Sequence, residues 1–358
     1  MYIYIHIPFC SSICSYCDFP KVLYDKKYIR KYLIELRSEI ENRYKNEIVK
    51  TIYIGGGTPT CLELDDLNMV MDITKIFKKD KDIEFSIESN IESLTIDKIK
   101  LLKQYGVNRI SLGVQTFQDK TLKELNRHHT ALDVYRVVDE LKREEFTNIS
   151  IDYIYGVNSK IEEIKKDIDS FLELDISHIS CYSLIIEEGT VFGINNRKYI
   201  DEDIEEEMYH YIEKRLASNG YRHYEISNYA KDGYESFHNI NYWNNGEYYG
   251  FGMGAVSFLD SKRITNTKSL TKYIEGEYIL TEEMESLEVQ ISNTFMLGFR
   301  MIKGINIDKF KKRYKRDILE IEPVRKLISE GKLVIDDNQL FIAPKYFYLS
   351  NEIILNFL

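Results

Sequence analysis

The stretch HIPFCSSICSYCDFPK, residues 6–21, sets Cys10, Cys14 and Cys17 behind a short apolar run at the start of the chain. A C-x3-C-x2-C run on a loop wraps one corner of an iron–sulfur cube, because three thiolates a few residues apart reach three different irons without straining the backbone. One iron of such a 4Fe-4S cluster is left open to another ligand. A structural zinc site wants four protein ligands, and no second CxxC or Cys/His pair follows at zinc spacing. His6 lies on the strand before the loop, where it orients the cluster or packs. Cys61 and Cys181 stand alone in apolar surroundings and read as core residues. With no secretory signal in view, the five cysteines do not suggest a disulfide framework.

Outward from that loop, short β-branched runs alternate with charged segments of helical period, the pattern of β/α units around a parallel sheet. Strands are expected at 2–7, 51–54, 83–88, 109–114, 149–155 and 178–185, and helices at 25–44, 63–77, 95–106, 131–145 and 160–174. Six units fit before residue 190, so the expected fold class is α/β, a partial (β/α)6 barrel of TIM type. In such a barrel chemistry gathers where strands end and loops to the next helix begin. At those ends the sequence puts the three cysteines, then Gly55, Gly56, Gly57, Thr58 and Pro59, then Glu88 and Asn90, then Gln115, and near the fifth strand's end Asp152. Scattered surface polars would not sort this way. GGGTPT lacks the GK[ST] ending of a phosphate loop and is no G-x-G-x-x-G. Three bare glycines let a ligand press against backbone whose peptide groups hydrogen-bond a small zwitterion. Alone, the run would be a tight strand-to-helix turn.

An apolar share of 44% and a charged share of 30% are ordinary for a soluble protein. A net charge of -10 repels phosphate backbones, so nucleic acid is not an expected partner. No run of 18 apolar residues exists, and MYIYIHI lacks the flank and length of a signal peptide. The expectation is a cytoplasmic protein with at most peripheral membrane association. Residues 201–220 form an acidic amphipathic helix closed by Gly220, and 221–258 read as strand and loop rich in aromatics and glycine. The C-terminal part then reads as a helix around 284–301, a second helix with a glycine stop, a hairpin turning at Asp336 to Asn338, and a final helix. This is a small winged-helix-like pattern, which divides the chain at 1–275 and 276–358. From Glu320 onward acidic residues outnumber basic ones, so DNA binding is not expected of it.

YIHIPFCSSICSYCDF with GGGTPT resembles the radical S-adenosylmethionine enzymes. Within them the chain resembles the oxygen-independent coproporphyrinogen III oxidase family, most closely its heme chaperone branch. GVNRISLGVQTF, NISIDYIYG, HISCYSLIIEEGT, YEISNYA, HNINYW, FMLGFRMIKGI and LSNEI carry the similarity almost end to end. The resemblance implies that Cys10, Cys14 and Cys17 bind a 4Fe-4S cluster whose free iron is chelated by the amino and carboxylate groups of S-adenosylmethionine. It implies Tyr4 beside that cofactor, Gly56, Gly57 and Thr58 along its methionine part, and Glu88, Gln115, Arg127 and Asp152 at its other contacts. These residue types suit such contacts, since carboxylates accept from ribose hydroxyls or the ammonium, and Arg127 forks onto a carboxylate. Ile91 replaces a proline common after E-x-N, and Val157-Asn158 replaces a G-L-P turn, with no donor or acceptor lost.

The oxidases usually carry a fourth cysteine two positions after the motif, where this chain has Phe19. Chaperone sequences share that lack and carry H-N-x-x-Y-W, here His238, Asn239, Tyr242 and Trp243. A histidine ligates heme iron axially, and tyrosine and tryptophan offer flat apolar surface. A histidine common in relatives shortly afterwards is Val256 here, which predicts weaker heme binding if that histidine helps hold heme. The first expectation is a heme chaperone that passes heme to hemoproteins, respiratory ones among them. Its radical-SAM chemistry would be vestigial or regulatory, its electron donor a protein such as flavodoxin or ferredoxin, and a homodimer is left open. The alternative is an oxygen-independent coproporphyrinogen III oxidase, which cleaves S-adenosylmethionine to a 5'-deoxyadenosyl radical and decarboxylates two propionates in porphyrin biosynthesis. A radical enzyme acting on another substrate is the third reading.

Overall fold

In the computed structural model, which describes residues 1–358, all six expected strands form. These are β1 (Tyr2–Ile7), β2 (Val49–Gly56), β3 (Lys79–Asn90), β4 (Arg109–Gln115), β5 (Asn148–Tyr155) and β6 (His178–Ser183), parallel and paired in chain order. The expected helices join them: α1 (Lys26–Arg43), α2 (Leu64–Ile73), α3 (Ile96–Gln104), α4 (Ala131–Arg143) and α5 (Ile161–Glu173). Local chemistry starts them, with Asp25 accepting from the Lys27 amide at α1 and a Thr130/Asp133 capping box at α4.

Side chains alternate across a strand, and here the two faces differ in kind. One face carries Ile52, Ile54, Phe85, Ile87, Ile110 and Leu112, each 0% exposed in the main core. The other carries Thr51, Tyr53, Glu84, Glu88, Ser111 and Asp152, which hydrogen-bond among themselves and to inserted groups. Both faces of a parallel sheet are usually apolar. Here the polar face lines a cavity that draws on strands β2 through β6, so the sheet curves around it.

After α6 (Glu202–Ala217), the segment read as strand and loop supplies three edge strands and a helix. They are β7 (Arg222–Glu225), β8 (Asn228–Ala230), α7 (Phe237–Trp243) and β9 (Tyr249–Phe251). The sheet therefore has nine strands in the order β9-β1-β2-β3-β4-β5-β6-β8-β7, with β9 parallel to β1 and β8 antiparallel to β6. A second, antiparallel sheet follows, of β10 (Val256–Leu259), β11 (Lys262–Asn266) and β12 (Ile279–Met284). Although β12 lies beyond residue 276, it pairs with β11.

The C-terminal part contains α8 (Leu287–Gly298), β13 (Ile305–Asn306), α9 (Ile307–Tyr314), α10 (Glu322–Ser329), β14 (Leu333–Asp336) and β15 (Gln339–Ile342), with a short last helix at Ser350–Ile354. The hairpin turns at Asp337 and Asn338, both at positive φ, as a two-residue connection requires. This part has its own core of 15 buried residues, against 56 in the main one. No helix is long and apolar enough to cross a membrane.

Candidate functional site

The cysteine loop leaves β1 and is pinned at its base. Residues Phe9–Cys10 pair with Val22–Leu23, and the Val22 and Tyr24 amides donate to the Pro8 and Cys10 carbonyls, each at 2.8 Å. His6 closes the loop from below: its Nε2 lies 2.7 Å from the Pro20 carbonyl, so that nitrogen carries the proton and Nδ1 accepts from the Tyr4 hydroxyl at 2.9 Å. Burial holds the ring neutral, its pKa down at about 4. Cys10 is buried, while Cys14 and Cys17 are partly exposed. Nowhere do three His, Cys, Asp or Glu side chains converge tightly enough to hold a single ion. The thiols instead line the wall of a cavity of about 380 Å³, in the range of small-molecule sites.

The same cavity brings together Gly56, Gly57, Thr58, Glu88, Gln115, Arg127 and Asp152. The glycines are demanded first by the protein itself. Gly56 sits at φ +113° directly against the His6 ring, and a Cβ on Gly57 would come within 2.6–2.8 Å of the Pro8–Phe9 backbone. Bare backbone here lets the cysteine loop and the strand end touch, and the ligand then meets what remains. Gln115 is held at φ +69° where the β4–β5 register shifts, a left-handed residue at a strand end of the kind that collects at functional sites. Asp167 on α5 fixes the turn after it, accepting from Thr116 Oγ1 at 2.6 Å, the Phe117 amide at 3.1 Å and Gln118 Nε2 at 2.8 Å.

Glu88 accepts from the Tyr53 hydroxyl at 2.8 Å and the Gly56 amide at 3.0 Å. Burial, reinforced by the Asp152 charge, pushes its carboxyl up to about 7. Asp152, taken out of water beside Ser180 and Ser111, rises to about 6. Neither has a salt-bridge partner within 4 Å, so this wall suits a cation such as a sulfonium or ammonium. Across the cavity Arg127 donates to the Gly113 carbonyl at 2.6 Å and approaches Cys14 Sγ at 3.5 Å, while its buried Nε has no partner. Glu92 lies 3.6 Å from Arg127 and 3.5 Å from His129; burial opposes its charge, but those two neighbours hold it down at about 2. Three thiols, a carboxylate pair awaiting a cation and an arginine with a free donor fit a 4Fe-4S cluster with S-adenosylmethionine.

Three expectations change. Tyr4 does not line the cavity: its hydroxyl supports His6, and its ring stacks on Tyr53 at 6.2 Å. The HNINYW residues lie on a helix under the cavity, not on an open loop. Ser236 caps α7, and Glu84 accepts from the Phe237 and His238 amides at 3.0 Å each. His238 is 1% exposed, with Nδ1 2.7 Å from Thr51 Oγ1, Nε2 2.8 Å from the Tyr242 hydroxyl and its ring stacked on Tyr53. Both nitrogens are engaged, so in this conformation the ring offers nothing to a heme iron. Trp243 packs under Arg300, and Asn239 is partly buried beside its cap. Cys181 is a core residue as expected, whereas Cys61 is only partly buried and donates to the Phe9 carbonyl at 3.3 Å. The sequence reading missed Tyr53 and Tyr182 on the cavity wall, although period two from Gly55 and Ser180 points both inward.

A thiol-lined cavity at the carboxyl ends of a β/α sheet defines a radical SAM protein, and residues 4–171 match the radical SAM superfamily while 286–345 match the HemN C-terminal domain. The fold is shared with the coproporphyrinogen III oxidase HemN of Escherichia coli, at a TM-score of 0.87 over 99% of this chain and 89% of that one, with 19% identity. Heme chaperone HemW of Lactococcus lactis is 40% identical, covering 99% of this chain and 96% of the relative, and that of Bacillus subtilis is 36% identical over 99% and 98%. The Escherichia coli heme chaperone HemW is 32% identical over 84% and 83%. The chain belongs to the heme chaperone HemW family.

Proposed function

We propose that this protein binds heme and hands it to hemoproteins, on a core that holds a 4Fe-4S cluster and S-adenosylmethionine. The similarity to heme chaperones along 99% of the chain carries the reading. Cys10, Cys14 and Cys17 hold the cluster, which supplies single electrons to the bound cofactor when present. Thr58, kept in place by Asn90 Nδ2 at 3.0 Å, and the Gly56–Gly57 backbone bracket the methionine part. Glu88 and Asp152 receive its positive charge, Arg127 its carboxylate, and Gln115 its remaining polar edge. The Tyr53 hydroxyl donates a hydrogen bond to Glu88, which favours the ionised carboxylate and offsets part of the effect of its burial.

The protein acts in the cytoplasm, with at most peripheral contact to a membrane, and its electron donor is a small redox protein of flavodoxin or ferredoxin type. Recipients include respiratory hemoproteins, and a homodimer is compatible with this role. We put the division between the two units near Glu285, because β12 pairs with β11 and so goes with the N-terminal unit. Protein reconstituted anaerobically with iron and sulfide should take up heme near one per chain, read from its Soret band, and lose it to an apo-hemoprotein. Failure to bind heme overturns the reading. Vinyl porphyrin made from coproporphyrinogen III with consumption of S-adenosylmethionine would establish the oxidase instead.

A further inference from the structure

His238 is sealed between Thr51, Tyr53 and Tyr242, so a heme bound to this conformation needs another surface. We infer that heme lies flat over the mouth of the cysteine-lined cavity, on an apolar rim formed by the cysteine loop and the segment after β6, with its propionates on Lys21 and Lys198. The inference rests on the heme-chaperone reading and gives it a site.

The two segments carry the exposed apolar side chains Phe19, Leu23, Ile185, Ile194 and Tyr199, which are 64%, 58%, 63%, 69% and 58% exposed. Single exposed apolar side chains are ordinary, but several of them around a concave opening mark a binding surface. Phe19 and Ile185 belong to the cavity wall itself, so the rim is continuous with it. A backbone contact brings the two segments together, the Phe192 amide donating to the Ser15 carbonyl at 2.9 Å, and the second segment is closed on itself by the Ile186 amide donating to the Tyr199 hydroxyl at 2.9 Å. A porphyrin is a broad flat apolar disc with two carboxylates on one edge, and it asks for this combination of an apolar shelf and cations beside it.

Lys21 and Lys198 provide the cations. Neither belongs to any of the chain's ion pairs, whereas Lys26 is paired with Glu63 and Arg197 with Glu124. The Lys21 ammonium donates to the Cys17 carbonyl at 2.6 Å and the Phe19 carbonyl at 3.3 Å, which fixes it against the backbone of the cysteine loop and leaves a donor free. Lys198 adjoins Tyr199 on the facing segment. Asp18 and Glu187 also stand at the mouth, so the propionates must lie toward the lysines and not across the opening. Another exposed apolar strip, Ile279, Leu280 and Met284 on β12, shares its strand with Glu282 and Glu283, the wrong sign for propionates. A heme on the rim would cover the way in and out of the cavity, which ties heme loading to retention of S-adenosylmethionine.

The test uses the full reconstituted chain. Leu23→Asp with Ile194→Asp changes only exposed side chains outside the cavity wall, so the brown cluster absorbance and circular dichroism should persist while heme affinity falls at least tenfold. In the unaltered protein, bound heme should slow release of S-adenosylmethionine severalfold. Heme should also bind better than its dimethyl ester, and Lys21→Gln with Lys198→Gln should erase that preference. Unchanged heme affinity in the aspartate variant, or cofactor release indifferent to heme, overturns the rim as the site. An ester preference that survives the lysine variant overturns the propionate assignment. A native chain that binds no heme at all removes the chaperone reading itself, an outcome distinct from these.

Discussion

Glu88 is a carboxylate surrounded by donors but facing no cation, and its titration should show it. Its pKa rises from 4.5 to about 7 because it is out of water and beside Asp152, itself raised to about 6. Between those values the native cofactor-free protein keeps protons that the unfolded chain has released, so its stability falls as pH rises through that window. Melting temperature measured from pH 5 to 7.5 should drop in the cofactor-free protein, and Glu88→Gln should flatten much of the slope. Affinity for S-adenosylmethionine should move the other way, strengthening as the pair ionises. Cys14→Ala should abolish the brown absorbance of reconstituted protein; full retention of iron would contradict the cluster assignment. Gly56→Ala should cost about 3 kcal/mol or more, since it combines a left-handed φ with a ring in the way, and urea denaturation measures it. Cys10, Cys14, Cys17, Glu88, Gln115 and Asp152 were legible because they fall at strand ends, which period-two patterns locate. The support they receive was not: that Tyr4 serves His6, or that Gly56 yields to an imidazole, depends on contacts between strands that no local pattern carries.

At the scale of elements, α7 shows most clearly where sequence reading stops. Seven residues with no apolar period look like loop, yet they form a helix because Ser236 caps it and Glu84, from a strand 154 positions earlier than His238, takes its first amides. The six β/α units were readable because each carries its own period and caps; α7 is specified by a partner far away in sequence. Its placement turns the HNINYW motif into a floor for the cavity. His238 stacks on Tyr53 at 5.1 Å, and Tyr53 donates to Glu88, so the motif reaches the cofactor wall through one ring. His238→Ala would strand the Thr51 and Tyr242 hydroxyls and leave a hole under Tyr53, a loss of about 2–4 kcal/mol. S-adenosylmethionine affinity should fall in parallel. A variant with native stability and cofactor affinity that loses only heme would return His238 to the role of iron ligand.

Across the whole molecule, α7 also joins the two cores. Its C-terminal end is held by the smaller one: Asn245 Nδ2 reaches Thr294 Oγ1 at 3.3 Å, and Arg313 donates to the Asn245 carbonyl at 2.8 Å. The edge of the large sheet does the same, with the Ile226 amide donating to the Arg300 carbonyl at 2.8 Å and the Ile302 amide to the Tyr224 carbonyl at 3.2 Å. Each core also receives a side chain from the other part, Ile226 in one direction and Tyr348 in the other. Between them the fully buried Glu225 lies near the partly buried Trp243 and Arg300. Burial pushes the Glu225 carboxyl up to about 7, and the Arg300 guanidinium lies 5.8 Å from the Trp243 ring centre. Chains of this length often unfold in stages, but a core of 15 buried residues bound this closely to the larger one has little stability to keep by itself. Trp243 is the only tryptophan in the chain and stands at the junction, so its fluorescence reports on that contact alone. In urea the Trp243 transition should coincide with the loss of far-ultraviolet dichroism, as one cooperative step. Ile226→Asp, which puts a charge into the contact with the smaller core, should pull the Trp243 transition to lower urea ahead of the dichroism. Two separate transitions already in the unaltered protein would mean that the C-terminal unit is an independent appendage, and that HNINYW answers to the barrel alone.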